Sequence, residues 1–317
     1  MTPQPSPLSL PASYHDLPFT DIKLSHHPAS SPEPTPIIIL TLHRPGKHNA
    51  FTETMTLELE SAFAHLSADP RVKCIIITGH GKIFCAGADL ELGFPAHPGS
   101  PAEVANARDG GGRVSLAIHR CLKPTIAALN GSAVGVGITM TLPMSIRLAP
   151  RSAKIGFVFA RRGLVMEAAS SYFLPRLIGR SRTMHLVTTG AVYPAEHKLL
   201  EGLFSEVLDS PEEVMRRAVE IATEYVDNCS GVSWALMRDM VWRGPGSAEE
   251  AHLLDSRVIH DLFGSKDNEE GVRSFMEKRP VKFTGKLEED APAVYPWWTP
   301  VDVVPRAKGV LDDKAKL

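Results

Sequence analysis

The sequence predicts an α/β fold whose C-terminal third is helical. Apolar, β-branched runs of strand length alternate with amphipathic helical segments over residues 37–157. Beyond Ala168 the apolar spacing is helical almost without interruption. No repeat of fixed period and no internal linker divides this region, so residues 36–285 are predicted to form a single domain.

Two strand–helix units open the predicted domain. The run at 37–42 is followed by a turn at 43–49 and then by a helix, and a second strand at 74–78 precedes a second helix. Each helix is predicted from apolar residues three or four positions apart, which share one face. These residues are Met55, Leu59, Ala62, Phe63 and Leu66 in the first helix, and Val114, Ala117, Ile118 and Cys121 in the second.

Shorter elements continue the pattern. Strands are predicted at 125–129, 145–148 and 155–157, with a short helix beginning at Gly137 between the first two. In the helical third, a helix is predicted over Pro211–Asn228. Proline suits the first helical turn, and the two glutamates that follow it suit the positive end of the helix dipole.

The composition excludes several classes of protein. The 34 basic and 36 acidic side chains give a formal charge of −2, whereas proteins that bind nucleic acid or anionic membranes normally carry a basic excess. No apolar run approaches the roughly 20 residues that span a bilayer, and no secretory signal pattern is seen. The four cysteines form no CxxC pair, which fits neither a disulfide framework nor a zinc site. We expect an intracellular protein.

Proline is unevenly distributed, with nine of the 26 prolines in residues 1–36 and five in 280–317. Residues 1–35 mix Pro, Ser and His without periodicity and are expected to form a disordered or loosely attached arm. Residues 286–317 are expected to form an extended tail. The two ends therefore differ from the body of the chain.

Two short loops carry the candidate chemistry. FCAGADL at 84–90 and NGSAVGVG at 130–137 each follow a predicted buried strand. Small residues allow a ligand to approach the backbone, and a glycine-rich turn that opens a helix directs unpaired N–H groups at one point. Two such loops converging on one oxygen would form an oxyanion hole. Tight turns that only pack a sheet would have the same composition.

Together with RPGKHNA at 44–50 and EGVRSFMEKR at 270–279, these loops resemble the crotonase (enoyl-CoA hydratase/isomerase) superfamily. The resemblance covers roughly residues 36–285, with several independent motifs in the family's order. It implies a spiral of ββα units that binds a CoA thioester and assembles as a trimer or hexamer. It implies no cofactor beyond the CoA of the substrate.

The resemblance also implies roles for individual residues. The backbone N–H groups of Ala88 and Val136 would be the oxyanion-hole donors. Phe275 and Lys278 match positions that in relatives reach the nucleotide end of CoA, sometimes in a neighbouring subunit, although Lys278 would equally suit a solvated helix end. The remaining substrate-binding positions would be Ala86, Gly87, Ala88, Asp89, Leu90 and Gly135.

The two glutamates of the family's hydratases fall on Thr139 and Phe159, so both carboxylates are absent. Instead, EAASSYFLP at 167–175 resembles the E-G-x-S-S-Y-x-x-P stretch of peroxisomal Δ3,Δ2-enoyl-CoA isomerases, whose catalytic glutamate corresponds to Glu167. Ala168 departs from that stretch, which has glycine there. Apolar surroundings predict a raised pKa for Glu167, whereas an ordinary acid at a helix N-terminus is the alternative.

These residues predict isomerisation of a 3-enoyl-CoA to a 2-enoyl-CoA in fatty-acid β-oxidation, with Glu167 moving a proton from C2 to C4. One alternative is a hydratase or dehydratase acting on a specialised acyl-CoA of secondary metabolism. It would need a second carboxylate near Glu167, for which Asp89 and Glu91 are candidates. Another alternative is a catalytically silent acyl-CoA-binding subunit.

The C-terminal tripeptide Ala315, Lys316 and Leu317 resembles the S-K-L address that the peroxisomal import receptor binds. This predicts a peroxisomal location.

Overall fold

A computed structural model describes residues 8–93 and 100–304. Within these ranges the strands are β1 (Ile22–His27), β2 (Ile37–Leu42), β3 (Cys74–Gly79), β4 (Ile83–Cys85), β5 (Thr125–Ala128), β6 (Ser132–Val134), β7 (Ile146–Pro150), β8 (Lys154–Gly156), β9 (Val192–Pro194) and β10 (Glu206–Leu208). The helices are α1 (Glu53–Ala68), α2 (Pro101–Asn106), α3 (Gly110–Arg120), α4 (Val136–Thr139), α5 (Ser170–Ile178), α6 (Arg180–Thr189), α7 (Pro211–Asn228), α8 (Gly231–Arg243), α9 (Ala248–Leu262), α10 (Lys266–Glu277) and α11 (Leu287–Asp290). Short 3₁₀ helices lie at Tyr14–Asp16, Val158–Arg162 and Lys198–Leu200.

The strands form two sheets. The larger has the order β1-β2-β3-β5-β7-β10 and is parallel except for β1, which runs antiparallel to β2. The smaller has the order β4-β6-β8-β9, in which β9 is antiparallel to β8. Three times the chain leaves the larger sheet, adds a strand to the smaller sheet and then turns into helical segments, starting from β3, β5 and β7. This confirms the predicted α/β fold with its spiral of ββα units and its helical C-terminal region.

The larger sheet is covered on both faces, which explains its continuous apolar runs. All six residues of β3 are buried. The small side chains of Ala218 and Ala222 on α7 pack against one face, and α1, α3 and the smaller sheet share a core with the other. Because β3 and β5 are parallel neighbours, the loops that follow them leave from the same edge of the sheet. The two candidate loops therefore start side by side.

The expectation of a disordered arm is wrong for residues 8–35. β1 pairs with β2 along its full length, with Ile22, Leu24 and His26 buried. Glu58 on α1 accepts hydrogen bonds from three consecutive backbone N–H groups, those of Thr20, Asp21 and Ile22, at 2.6, 2.8 and 3.1 Å. The alternation spans only six residues, and its third inward position is a histidine. For this reason the strand is hard to see among the flanking prolines.

The described part of the tail is not extended throughout, because it contains the helix α11 (Leu287–Asp290), and it packs onto α8. The Tyr295 hydroxyl donates to Asp239 at 3.0 Å, and the Trp297 indole N–H donates to the Arg243 carbonyl at 3.1 Å. The predicted address at 315–317 lies outside the described residues. In the part of the chain that the structure describes, no helix is long and apolar enough to cross a membrane.

Candidate active site

The two glycine-rich loops meet where β4 pairs with β6, with Cys85 opposite Ala133. A Cβ atom on Gly137 would lie 2.5 Å from the Cys85 carbonyl oxygen, so only glycine allows this approach. Gly87 and Gly135 adopt positive φ angles of 98° and 55°, and a Cβ on Gly135 would lie 3.8 Å from the Gly87 Cα. The structure therefore brings together the loops that the sequence analysis selected.

Each loop leaves one backbone N–H group uncommitted. The Gly87 carbonyl accepts from the Phe51 N–H at 2.8 Å and the Asp89 N–H donates to the Phe51 carbonyl at 3.0 Å, which leaves the Ala88 N–H between these two bonds. Val136 is the first residue of α4. Within residues 8–93 and 100–304, neither the Ala88 nor the Val136 N–H donates to a protein atom. Both groups are available to an oxyanion.

Polar residues of the 44–50 motif clamp the first loop. The Asn49 side-chain amide donates to the carbonyls of His80 and Ile83 at 2.9 and 2.8 Å. The Arg44 guanidinium binds the Asp89 carboxylate at 2.8 Å and so lowers the pKa of Asp89. Asp89 also accepts from the Glu91 N–H at 3.1 Å, as expected of a side chain that fixes a turn.

The two carboxylates considered for hydration are both engaged elsewhere. Asp89 is held in its ion pair with Arg44, and Glu91 pairs with Lys47 at 2.5 Å on the surface. Leu90, between them, is 58% exposed. Neither acid is a partner for Glu167.

The Glu167 carboxyl is held against the start of α4. The Thr139 hydroxyl, one helical turn after Val136, donates to Glu167 Oε1 at 2.6 Å. A Cβ on Gly111 of α3 would lie 1.8 Å from Glu167 Oε2 and 3.0 Å from Val136 Cγ2. Glycine at 111 thus leaves the space that the carboxyl occupies, and this space borders the residue that offers the second N–H.

Partial burial and, to a smaller extent, the Asp109 carboxylate together raise the pKa of Glu167 to about 7, against the opposing effect of the hydrogen bond from Thr139. The direction agrees with the expectation from the apolar sequence around Glu167. At neutral pH the carboxyl is available both as a base and as an acid.

The backbone conformation after Glu167 explains why the resembling isomerase stretch has glycine at the position of Ala168. Ala168 and Ala169 have φ angles of 58° and 52°, in the left-handed region that glycine adopts at lower cost. The Ala168 N–H donates to the Asp109 carboxylate at 3.1 Å. The turn that presents Glu167 is therefore fixed by a residue that the sequence analysis missed. An aspartate immediately before a helix is an N-cap signal that could have identified Asp109.

Phe275 and Lys278 lie away from these loops. Phe275 is 81% exposed on α10 and lines a groove formed by α8, α9, α10 and residues 283–290. Lys278 caps α10 in the left-handed conformation. A contribution to a neighbouring subunit's site stays a prediction.

The comparisons with known proteins identify the family. Residues 33–286 match the family model for enoyl-CoA hydratase/isomerase. The chain therefore belongs to the enoyl-CoA hydratase/isomerase family.

Three similar proteins illustrate the family. Over 261 residues the chain is 49% identical to enoyl-CoA hydratase AFT3-1 of Alternaria alternata, covering 82% of this chain and 87% of that protein. It is 30% identical over 253 residues to 1,2-epoxyphenylacetyl-CoA isomerase of Escherichia coli, covering 79% and 95%. The structure of Pseudomonas aeruginosa DspI superposes with a TM-score of 0.74 at 26% identity, covering 86% and 100%. The family thus includes proteins named as hydratases and as isomerases.

Substitution of Thr139 by valine should shift the titration of Glu167 to higher pH. The hydroxyl favours the ionised carboxyl, so its loss raises the pKa of Glu167, by roughly one unit for a hydrogen bond to a charged group. Infrared titration of the carboxyl band, assigned by subtracting the spectrum of Glu167→Gln, measures the midpoint. Thr141→Val removes a nearby buried hydroxyl that bonds the Ile138 carbonyl instead, and is the matched control. An unchanged midpoint in folded Thr139→Val contradicts this role.

Proposed function

We propose that the protein converts a 3-enoyl-CoA to a 2-enoyl-CoA. The observation that carries the proposal is the partly buried carboxyl of Glu167, which has a pKa of about 7 and lies beside Val136, the residue that offers the second uncommitted N–H group. A carboxyl with this pKa can remove a proton and return it at neutral pH. The resemblance of 167–175 to Δ3,Δ2-enoyl-CoA isomerases supports the same reaction.

In the proposed mechanism, the N–H groups of Ala88 and Val136 bind the thioester oxygen and stabilise the negative charge that develops there. This acidifies C2 of the acyl chain. Glu167 removes the C2 proton, a dienolate forms, and the protonated Glu167 delivers a proton to C4. One base suffices because both transfers take place on one face of the acyl chain. The reaction needs no cofactor beyond the CoA of the substrate.

Replacing Glu167 with glutamine should reduce isomerisation by about 10²–10⁴-fold, the usual contribution of a general base. Acyl-CoA binding should stay nearly intact, because the amide oxygen can still accept from Thr139. Absorbance of the conjugated 2-enoyl thioester measures activity, and calorimetry measures binding. Glu91→Gln, on an exposed ion pair, is the control and should retain activity. Full activity in Glu167→Gln would contradict the assignment of Glu167 as the base.

Hydration of an acyl-CoA is the second candidate. It is favoured by the Asp109 carboxylate beside Glu167, a second acidic group of the kind that water activation requires. The 49% identity to a protein named enoyl-CoA hydratase points the same way. In this reading Glu167 and Asp109 together position and activate water.

Incubation of the enzyme with a 2-enoyl-CoA in heavy-oxygen water separates the two candidates. Isomerisation leaves the 2-enoyl-CoA without the label, whereas hydration introduces one labelled oxygen at C3. Binding without labelling, and without deuterium exchange at C2 or C4, would instead identify a catalytically silent acyl-CoA-binding subunit. We expect deuterium exchange at C2 and C4 without incorporation of labelled oxygen at C3.

We also propose a peroxisomal location and a trimeric or hexameric assembly, as the family resemblance and the 315–317 tripeptide imply. Deletion of Ala315, Lys316 and Leu317 should leave the protein in the cytosol, because the import receptor binds this address at the free C-terminus. Fluorescence microscopy of a protein tagged at its N-terminus measures this. Unchanged import would refute the address.

A further inference from the structure

Asp109 occupies a constrained position between α3 and the loop that carries Glu167. Its side chain caps α3 by accepting from the Gly112 N–H at 2.5 Å, and the same oxygen accepts from the Ala168 N–H at 3.1 Å. The two donors belong to segments far apart in the chain. They fix the Asp109 carboxylate beside the residue that precedes Ala168, which is Glu167.

The first turn of α3 leaves room for both carboxyl groups. A Cβ on Gly111 would lie 1.8 Å from Glu167 Oε2, and one on Gly112 would lie 2.7 Å from Asp109 Oδ1. Glycine is the poorest helix former after proline, yet Gly110–Gly112 is an unbroken run of three at the start of this helix. The two carboxyl groups explain Gly111 and Gly112, whereas a Cβ on Gly110 would lie 2.7 Å from the Thr56 hydroxyl.

We propose that Asp109 is a positioning residue for Glu167, whose carboxylate, fixed by two backbone N–H groups, stabilises the form of Glu167 that carries the proton taken from the substrate. The proposal rests on the proposed role of Glu167 as the acid–base group. The protonated Glu167 can donate a hydrogen bond to Asp109, whereas the ionised Glu167 is repelled by it. Thr139 acts in the opposite direction, because its hydroxyl donates to the ionised carboxyl.

The remaining charged groups nearby do not neutralise this pair. Arg113 on α3 forms ion pairs with Glu53 and Glu60 of α1. The Arg108 guanidinium donates to backbone carbonyls. Cys85 on β4 stays a neutral thiol, since burial raises its pKa to about 12. Within the described ranges, no ion pair involves Asp109 or Glu167.

During isomerisation the proton moves from C2 to Glu167 and from Glu167 to C4, and Asp109 gains none. Its effect is to lower the free energy of the intermediate state in which Glu167 is protonated. Loss of the Asp109 charge therefore weakens Glu167 as a base without removing any group that contacts the substrate.

The test is Asp109→Asn in the full chain. Asparagine keeps an oxygen that accepts from the two N–H groups but removes the charge, so the infrared midpoint of the Glu167 carboxyl should move to lower pH, by roughly one unit. Asp109→Ser also keeps the helix cap without the charge and should shift the midpoint the same way. Asp255→Asn, exposed on α9, should leave it unchanged. An unchanged midpoint in both folded Asp109 variants overturns the proposal.

Kinetics add a second readout. In Asp109→Asn the acidic limb of the kcat–pH profile should move to lower pH and the plateau should fall, with KM nearly constant. A merely structural role would lower activity without moving the limb. The infrared titration needs no turnover. If the wild-type protein fails to isomerise 3-enoyl-CoA, the proposed function fails while the role of Asp109 is still decided. If the wild-type protein isomerises 3-enoyl-CoA but the midpoint of the Glu167 titration does not move in the Asp109 variants, only the proposed role of Asp109 is overturned.

Discussion

The site depends on the contact of two backbone segments at the edge where β4 pairs with β6. Gly137 approaches the Cys85 carbonyl so closely that a Cβ atom would lie 2.5 Å from it. This approach brings the start of α4 next to the Ala86–Leu90 loop. The Ala88 and Val136 N–H groups lie on the two segments that this approach brings together, and a larger residue at 137 would separate these segments.

The Glu167 carboxyl is positioned through the same helix. Val136 and Thr139 are one turn apart on α4, so the residue that offers an N–H group and the residue that binds Glu167 belong to one helical turn. Thr139 occupies the position of a hydratase glutamate in the family resemblance. In this chain the carboxylate at that position is replaced by a hydroxyl that binds a carboxylate from another loop. The same fold can in this way hold a carboxyl group that comes from a different segment of the chain.

The electrostatics of the site depend on the space that the glycines at the start of α3 leave for carboxyl groups. Gly111 faces the Glu167 carboxyl and Gly112 faces the Asp109 carboxyl. Asp109 has two backbone donors and Glu167 has one hydroxyl donor. A carboxyl that is partly buried and faces a like charge keeps its proton to higher pH than a carboxyl in water. The raised pKa of Glu167 thereby depends on a helix start whose glycines leave room for a carboxyl group.

Local pattern determined much of the fold. Strand and helix periodicities are properties of adjacent residues, so they could be predicted. This holds for the runs at 37–42 and 74–78, for the faces of α1 and α3, and for the whole span of Pro211–Asn228. Five strands, β1, β4, β6, β9 and β10, were missed, because short strands are defined by their partners rather than by their own sequence.

The sequence alone also determined the two small-residue loops and Glu167, since these are contiguous motifs. Only the tertiary structure decided that Thr139 donates to Glu167, that Asp89 forms an ion pair with Arg44, and that Asp109 lies beside Glu167. Each of these contacts joins residues separated by 28 to 59 positions. Such pairings arise from the packing of the ββα units against one another, and no local periodicity encodes them.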